Sequence, residues 1–203
     1  VCVYHYNSDR NVVEEKVFIP STESYEFLKE DLGTLTYVNK NNQLFLLFAQ
    51  KLYQVDIETG TSEVLEEGIK QNHFVVSDTK AHAAWLITSG DDQGKIREIE
   101  FDSLKTRDLS PENGQKLRVL GFMNEDLVYG ILSDADILTD ANGHETEGLS
   151  TFRIESFKGK VKKEYHQDGL YITNVTVGST MMEFELSAKS GNAYAVQKKD
   201  NIM

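Results

Sequence analysis

The sequence predicts an all-β fold, a β-propeller or a propeller fragment built of four-stranded antiparallel blades, on three observations. Residues 52–65 (LYQVDIETGTSEVL) alternate apolar and polar side chains on either side of a turn at Glu58, Thr59 and Gly60, which is a hairpin pattern. The pattern returns at 96–109 and at 152–165, with Val55, Ile99 and Ile154 in register at spacings of 44 and 55 residues. Gly60, Leu104 and Gly159 then coincide at the turn, and Gly68, Gly114 and Gly169 close the three repeats, each ahead of a new apolar run. Self-similar units of this length made of short strands are what a propeller repeats.

Taken in order, residues 1–19 read as a hairpin with a turn at Ser8, Asp9, Arg10 and Asn11, equivalent to the latter half of a blade. Pro20 ends it, because proline has no N–H to give to a ladder. Residues 21–32 are the best helix candidate, with Ser21 as cap, Glu23 or Ser24 nearby, and Tyr25, Leu28 and Leu32 at helical spacing. The segment is short, so a single helical turn or an irregular link is expected. Three full repeats follow at about 33–68, 69–114 and 115–169, and 170–203 begins another. The second strands (44–48, 83–87, 127–132) are the most continuously apolar, as strands covered on both faces are. Leu46, Trp85 and Tyr129 fall at equivalent places in them. The half-blades 1–20 and 170–203 are complementary, so pairing them in one composite blade would remove the exposed edges. The rival expectation, a piece of a larger ring with earlier blades before Val1, is favoured because the chain starts Val-Cys-Val and not with Met, like an excised or processed segment.

The 203 residues suit one sizeable domain or a piece of a larger one, and 39% hydrophobic with 27% charged residues is globular composition. A net charge of −12 argues against a nucleic-acid surface, which needs clustered Lys and Arg, and disfavours anionic lipid. Cys2 is the only cysteine, so there is no internal disulfide and no cysteine-based metal site. No run approaches the roughly 18 apolar residues of a membrane span, so this segment is not expected to insert.

Residues 121–137 (GFMNEDLVYGILSDADI), then a polar insertion containing Gly143, then 165–177 (YHQDGLYITNVTV) and 200–203 (DNIM), resemble uncharacterised propeller-like proteins of Firmicutes. Those proteins are of a cell-surface class with an N-terminal membrane anchor and a large extracellular region. The resemblance covers roughly the last 90 residues specifically and the first half only through the repeat. It implies a propeller fold on the extracellular face of a bacterial membrane, with an anchor upstream. It implies no catalytic residue.

The insertion 133–150 (SDADILTDANGHETEGLS) is the leading site candidate, since most of the 55 − 44 = 11 residues by which the second spacing exceeds the first lie in it. Asp134, Asp136, Asp140, Asn142, Glu145 and Glu147 offer oxygen donors of the kind calcium accepts. Their spacing does not fit an EF-hand loop, since a glycine at the sixth place (Gly143) would put Leu138 at the first; the plain alternative is a solvated loop turning at Asp140–Gly143. Asp91 and Asp92 lie in a simple hairpin turn. The five histidines occur singly, and no serine has the context of a nucleophile elbow. The absence of such motifs favours a non-catalytic binding or scaffold domain, extracellular as the resemblance implies, without cofactor, for a protein or glycan ligand. The alternative is a glycan-directed hydrolase or lyase with carboxylates meeting near the propeller channel, since distant acids can be brought together there.

Overall fold

A computed structural model describes every residue, Val1–Met203. The chain divides into two compact units, Val1–Asn72 with Phe101–Leu104, and His73–Glu100 with Lys105–Met203.

The first unit opens with an antiparallel hairpin, β1 (Cys2–Asn7) and β2 (Val12–Phe18). A helix follows, α1 (Tyr25–Thr34), then a four-stranded meander, β3 (Thr36–Val38), β4 (Gln43–Phe48), β5 (Lys51–Asp56) and β6 (Thr61–Glu67). The helix corrects the expectation of a brief turn capped by Ser21. Ser24 is the cap, its hydroxyl accepting the N–H of Phe27, whereas the Ser21 hydroxyl accepts only from Glu23. The helix runs on through Gly33 because Leu28 and Leu32 pack on the sheet, joining Ile19, Leu44, Leu46, Phe48, Tyr53 and Val55 in one core. Tertiary burial overrides the modest propensity of a short segment. The other face of β4 is covered as well: Phe45 lies 4.5 Å, ring to ring, from Phe101, and the Asn39 amide donates to the Phe101 carbonyl at 2.9 Å. Coverage on both faces is why β4 is apolar from Leu44 to Phe48.

The second unit holds three larger sheets and a two-stranded one within the insertion. The first is a four-stranded meander of β7 (Phe74–Val76), β8 (His82–Leu86), β9 (Ile96–Glu100) and β10 (Lys105–Leu109). In the next, β11 (Lys116–Met123) and β12 (Asp126–Leu132) precede the insertion, which contributes β13 (Ile137–Thr139) and β14 (Glu145–Glu147). The sheet resumes with β15 (Thr151–Glu155) and β16 (Val161–Tyr165). The third has three strands, β17 (Tyr171–Val177), β18 (Met182–Ser190) and β19 (Ala193–Ile202). Every residue of β12 is buried. Leu127, Tyr129 and Ile131 pack on Ala84, Leu86 and Ile96 of the preceding sheet. Val128 and Leu132, with Phe152 and Ile154, pack on Ile172, Met182, Phe184 and Leu186 of the following one. Each such side chain stabilises the stack by about 1.5–3 kcal/mol.

The three hairpins read from sequence are β5–β6, β9–β10 and β15–β16, each in its own four-stranded antiparallel sheet. This is the up-and-down meander of propeller blades, and the fold is all-β and propeller-like. Gly68, Gly114 and Gly169 all take a left-handed conformation, as the closing turn requires. The terminal segments form a two-stranded sheet, β1–β2, in the first unit and a three-stranded sheet, β17–β18–β19, in the second.

Candidate functional site

The insertion is a built hairpin, not an open loop. Its base is a capped turn in which the backbone N–H and hydroxyl of Ser133 both donate to one oxygen of Asp136, at 2.9 and 2.8 Å. The other carboxylate oxygen accepts from Lys189 Nζ at 2.9 Å, and the same ammonium donates to the Ala135 carbonyl at 2.7 Å while lying 4.4 Å from the centre of the Tyr171 ring. The Tyr194 hydroxyl donates to the Asp136 carbonyl at 2.9 Å. Burial alone would raise the Asp136 carboxyl, but the bonds from Lys189 and Ser133 outweigh it and hold the group low. The returning strand is fixed by Arg118, whose Nε donates to Glu147 at 2.7 Å.

These contacts account for most of the acids singled out as calcium donors. Asp134 is exposed and paired with Lys116. Asp136 closes the base. At the tip, Asp140 accepts the backbone N–H groups of Asn142 and His144 at 2.8 and 2.9 Å, which lowers its pKa, and Gly143 supplies the left-handed φ of +83°. Glu145 is exposed on β14, opposite Thr139. The hairpin separates these side chains between base, tip and strand, and no three His, Cys, Asp or Glu groups in the chain converge where a metal ion could sit.

A second cluster is one that pattern reading passed over. Glu98 on β9 is wholly buried and accepts from Arg107 Nε, on β10, at 2.6 Å. Arg107 Nη1 donates to Glu155, on β15 of the next sheet, at 2.5 Å. Glu155 accepts in turn from the Tyr129 hydroxyl at 2.8 Å. Burial pushes Glu98 up to about 7 against the pull of Arg107, and burial with the Glu155 hydrogen bond pushes the Tyr129 hydroxyl up to about 12. His82 Nδ1 lies 3.9 Å from the free oxygen of Glu98, and neither atom has a hydrogen bond. One guanidinium faces two carboxylates, so the fully enclosed one keeps its proton toward neutrality. The sequence carried one faint sign of this. Each hairpin places a polar residue immediately before its register residue: Gln54, Glu98 and Arg153. A proton-holding carboxyl beside a second carboxylate is acid–base chemistry in kind, but this pair is sealed between sheets with Arg107 bridging it. Here it ties two sheets together.

No protein family's sequence profile matches the chain, and no curated protein matches it by sequence. Among solved structures it is similar to BamB from Moraxella catarrhalis, at 14% identity and TM-score 0.42, covering 76% of this chain and 40% of that one. It is similar to the RRP9 WD40 repeats at 10% identity and TM-score 0.40, covering 80% and 50%. It is also similar to an oligogalacturonate lyase from Vibrio parahaemolyticus at 11% identity and TM-score 0.43, covering 98% and 58%. The chain thus spans roughly half the length of these propeller-like proteins, between 40% and 58%. No helix is long and apolar enough to cross a membrane.

Proposed function

We propose that the chain is a non-catalytic binding or scaffold domain that presents the 133–150 hairpin to a protein or glycan partner. The observation that supports this is the bracing of the one long irregularity in the repeats. Lys189, Tyr194 and Arg118 hold its two ends, while residues 141–145 stand exposed. A rigid scaffold with a variable projecting loop is the usual arrangement for recognition. Placement on the extracellular face of a bacterial membrane, with an anchor upstream, rests on the resemblance of 121–137, 165–177 and 200–203 to Firmicutes cell-surface proteins. The test replaces residues 134–147 by a two-residue turn and compares binding of the two proteins to isolated cell envelopes. Loss of binding with an unchanged melting temperature supports the reading, and equal binding ends it. Surface labelling of intact cells expressing the full-length protein tests the placement.

A further inference from the structure

Three turns of the second unit enclose a cup of about 390 Å³ that neither the insertion nor the buried cluster uses. Asp78 and Thr79 come from the β7–β8 turn, Phe122, Asn124 and Glu125 from the β11–β12 turn and its approach, and Ser179 from the β17–β18 turn. Each turn joins the first two strands of its sheet, so successive blades bring equivalent positions to one place. The volume lies at the small end of the range for small-molecule sites, about 300–1,000 Å³.

The β11–β12 turn is built against local preference. Met123 pairs with Asp126, leaving a two-residue loop in which Asn124 and Glu125 both have positive φ, 49° and 63°. Such a turn favours glycine at its second place, yet the chain carries a glutamate, and strained non-glycine residues cluster at functional sites. The Glu125 carboxylate is also aimed and fixed. It accepts from the Thr79 hydroxyl at 2.9 Å and from the Thr79 N–H at 3.4 Å. Burial would raise its pKa, but the bonds from Ser77 and Thr79 outweigh this and keep it ionised. Asn124 N–H donates to the Ser179 carbonyl at 2.7 Å, locking the turn to the next sheet. The Phe122 ring, itself buried, supplies an apolar floor.

The lining selects a ligand class by elimination. Asp78 and Glu125 repel an anion. No third acid or histidine converges with them to hold a metal. An apolar ligand would take water from the ionised Glu125 and add no hydrogen bond to those it accepts from Thr79. A neutral polyhydroxyl ring meets all three conditions, with C–H groups on the floor and vicinal hydroxyls donating to carboxylate and amide oxygens. We propose that this cup binds a neutral saccharide ring. The site is separate from the hairpin and does not depend on it.

The test is a set of amide NMR titrations of the parent with the methyl glycosides of glucose, galactose, mannose and N-acetylglucosamine, and with their short oligomers. One of them is expected to shift Thr79, Asn124, Glu125 and Ser179 saturably. Glu125→Gln should weaken that binding about tenfold, the worth of a hydrogen bond to a charged group. Asp78→Asn and Ser179→Ala, at exposed positions, carry the test if Glu125→Gln does not fold, and the hairpin-shortened protein should bind as the parent does. Glu125→Gly should raise the melting temperature by relieving the turn, yet lose the sugar, which a merely structural glutamate would not do. Absence of shifts at these amides with every sugar overturns the proposal. So does unchanged sugar affinity in the Glu125 and Asp78 variants, or a response of these amides to calcium alone.

Discussion

Arg107 donates to Glu98 at 2.6 Å from the adjacent strand, yet the carboxyl it contacts is the one that keeps its proton to about pH 7. A guanidinium ordinarily lowers a neighbouring carboxyl. Here Glu98 has no exposure to water, and the same cation is shared with Glu155, so desolvation dominates.

This pair makes stability depend on pH in a stated direction. Unfolded, Glu98 loses its proton near the ordinary 4.5; folded, near 7. Between these values the folded state binds more protons, so stability falls as pH rises. The contribution is complete below pH 4.5 and gone above about 7, and it amounts to roughly 3 kcal/mol at 1.36 kcal/mol per pH unit. Urea denaturation at steps from pH 5 to 8 should show this slope in the parent and a flatter one in Glu98→Gln, which should be the more stable protein at pH 8. Parallel pH profiles would show that Glu98 ionises normally.

Leu104 takes the turn position that glycine holds in the other two hairpins, with φ of +56° against +72° at Gly60 and +79° at Gly159. Leu104→Gly should therefore stabilise by roughly 0.5–1 kcal/mol, the relief of a left-handed non-glycine less the entropy of glycine. Gly60→Ala should do the opposite, by about 1–3 kcal/mol. Its Cβ would meet the Lys16 carbonyl oxygen at 2.6 Å in addition to the strain. Thermal melts of the two variants should move in opposite directions, and movement in the same direction would refute the alignment-based reasoning.

What the sequence disclosed about the fold follows from period and turn chemistry. Val55, Ile99 and Ile154 align because strands alternate every second residue and closing turns need left-handed backbone, both of which are local. The same locality limits what it could disclose. Helix α1 is set by Leu28 and Leu32 meeting β4, a contact that no window around Ser21 contains. The acids of the insertion looked available because Lys189 and Tyr194, which brace it, lie some fifty residues downstream. Glu98 and Arg107 stand in an alternating hairpin whose pattern is local, and only the stacking of two sheets encloses Glu98. Nothing at Asn124 and Glu125 beyond an unusual turn pair pointed to the cup.

Trp85 carries a prediction about the core. It is 3% exposed and stacks on Phe74, its cross-strand partner, at 6.2 Å. Trp85→Ala should cost about 3–5 kcal/mol through cavity formation. Trp85→Phe should cost distinctly less, because the indole N–H has no hydrogen-bond acceptor and its removal loses no bond. Equal losses in the two variants would mean that the indole makes a contact with water or protein that the ring alone cannot replace.

The bracing of the insertion gives the last prediction. If the hairpin is held by Asp136, Lys189, Tyr194 and the Ser133 cap, its order is intrinsic and independent of calcium. Hydrogen exchange at Asp136 and Gly148 should then be slow in the parent, because their N–H groups donate to the Ser133 and Asp136 carbonyls at 3.0 Å each. Protection and melting temperature should be the same with added calcium and with chelator. Lys189→Met removes the cation from Asp136 and leaves that buried carboxylate only the Ser133 donors, a loss of about 1–3 kcal/mol felt first at the base of the hairpin. Exchange at Asp136 and Gly148 should accelerate while that of β12 and β15 stays near the parent rate, since those strands lie in the stacked core. Gly148→Ala should have a similar local effect, because the new Cβ would collide with the Tyr194 ring. A calcium-dependent rise in melting temperature, lost in Asp136→Ala/Asp140→Ala, would instead mean that a metal rearranges the loop and that its carboxylates leave their present partners to hold it.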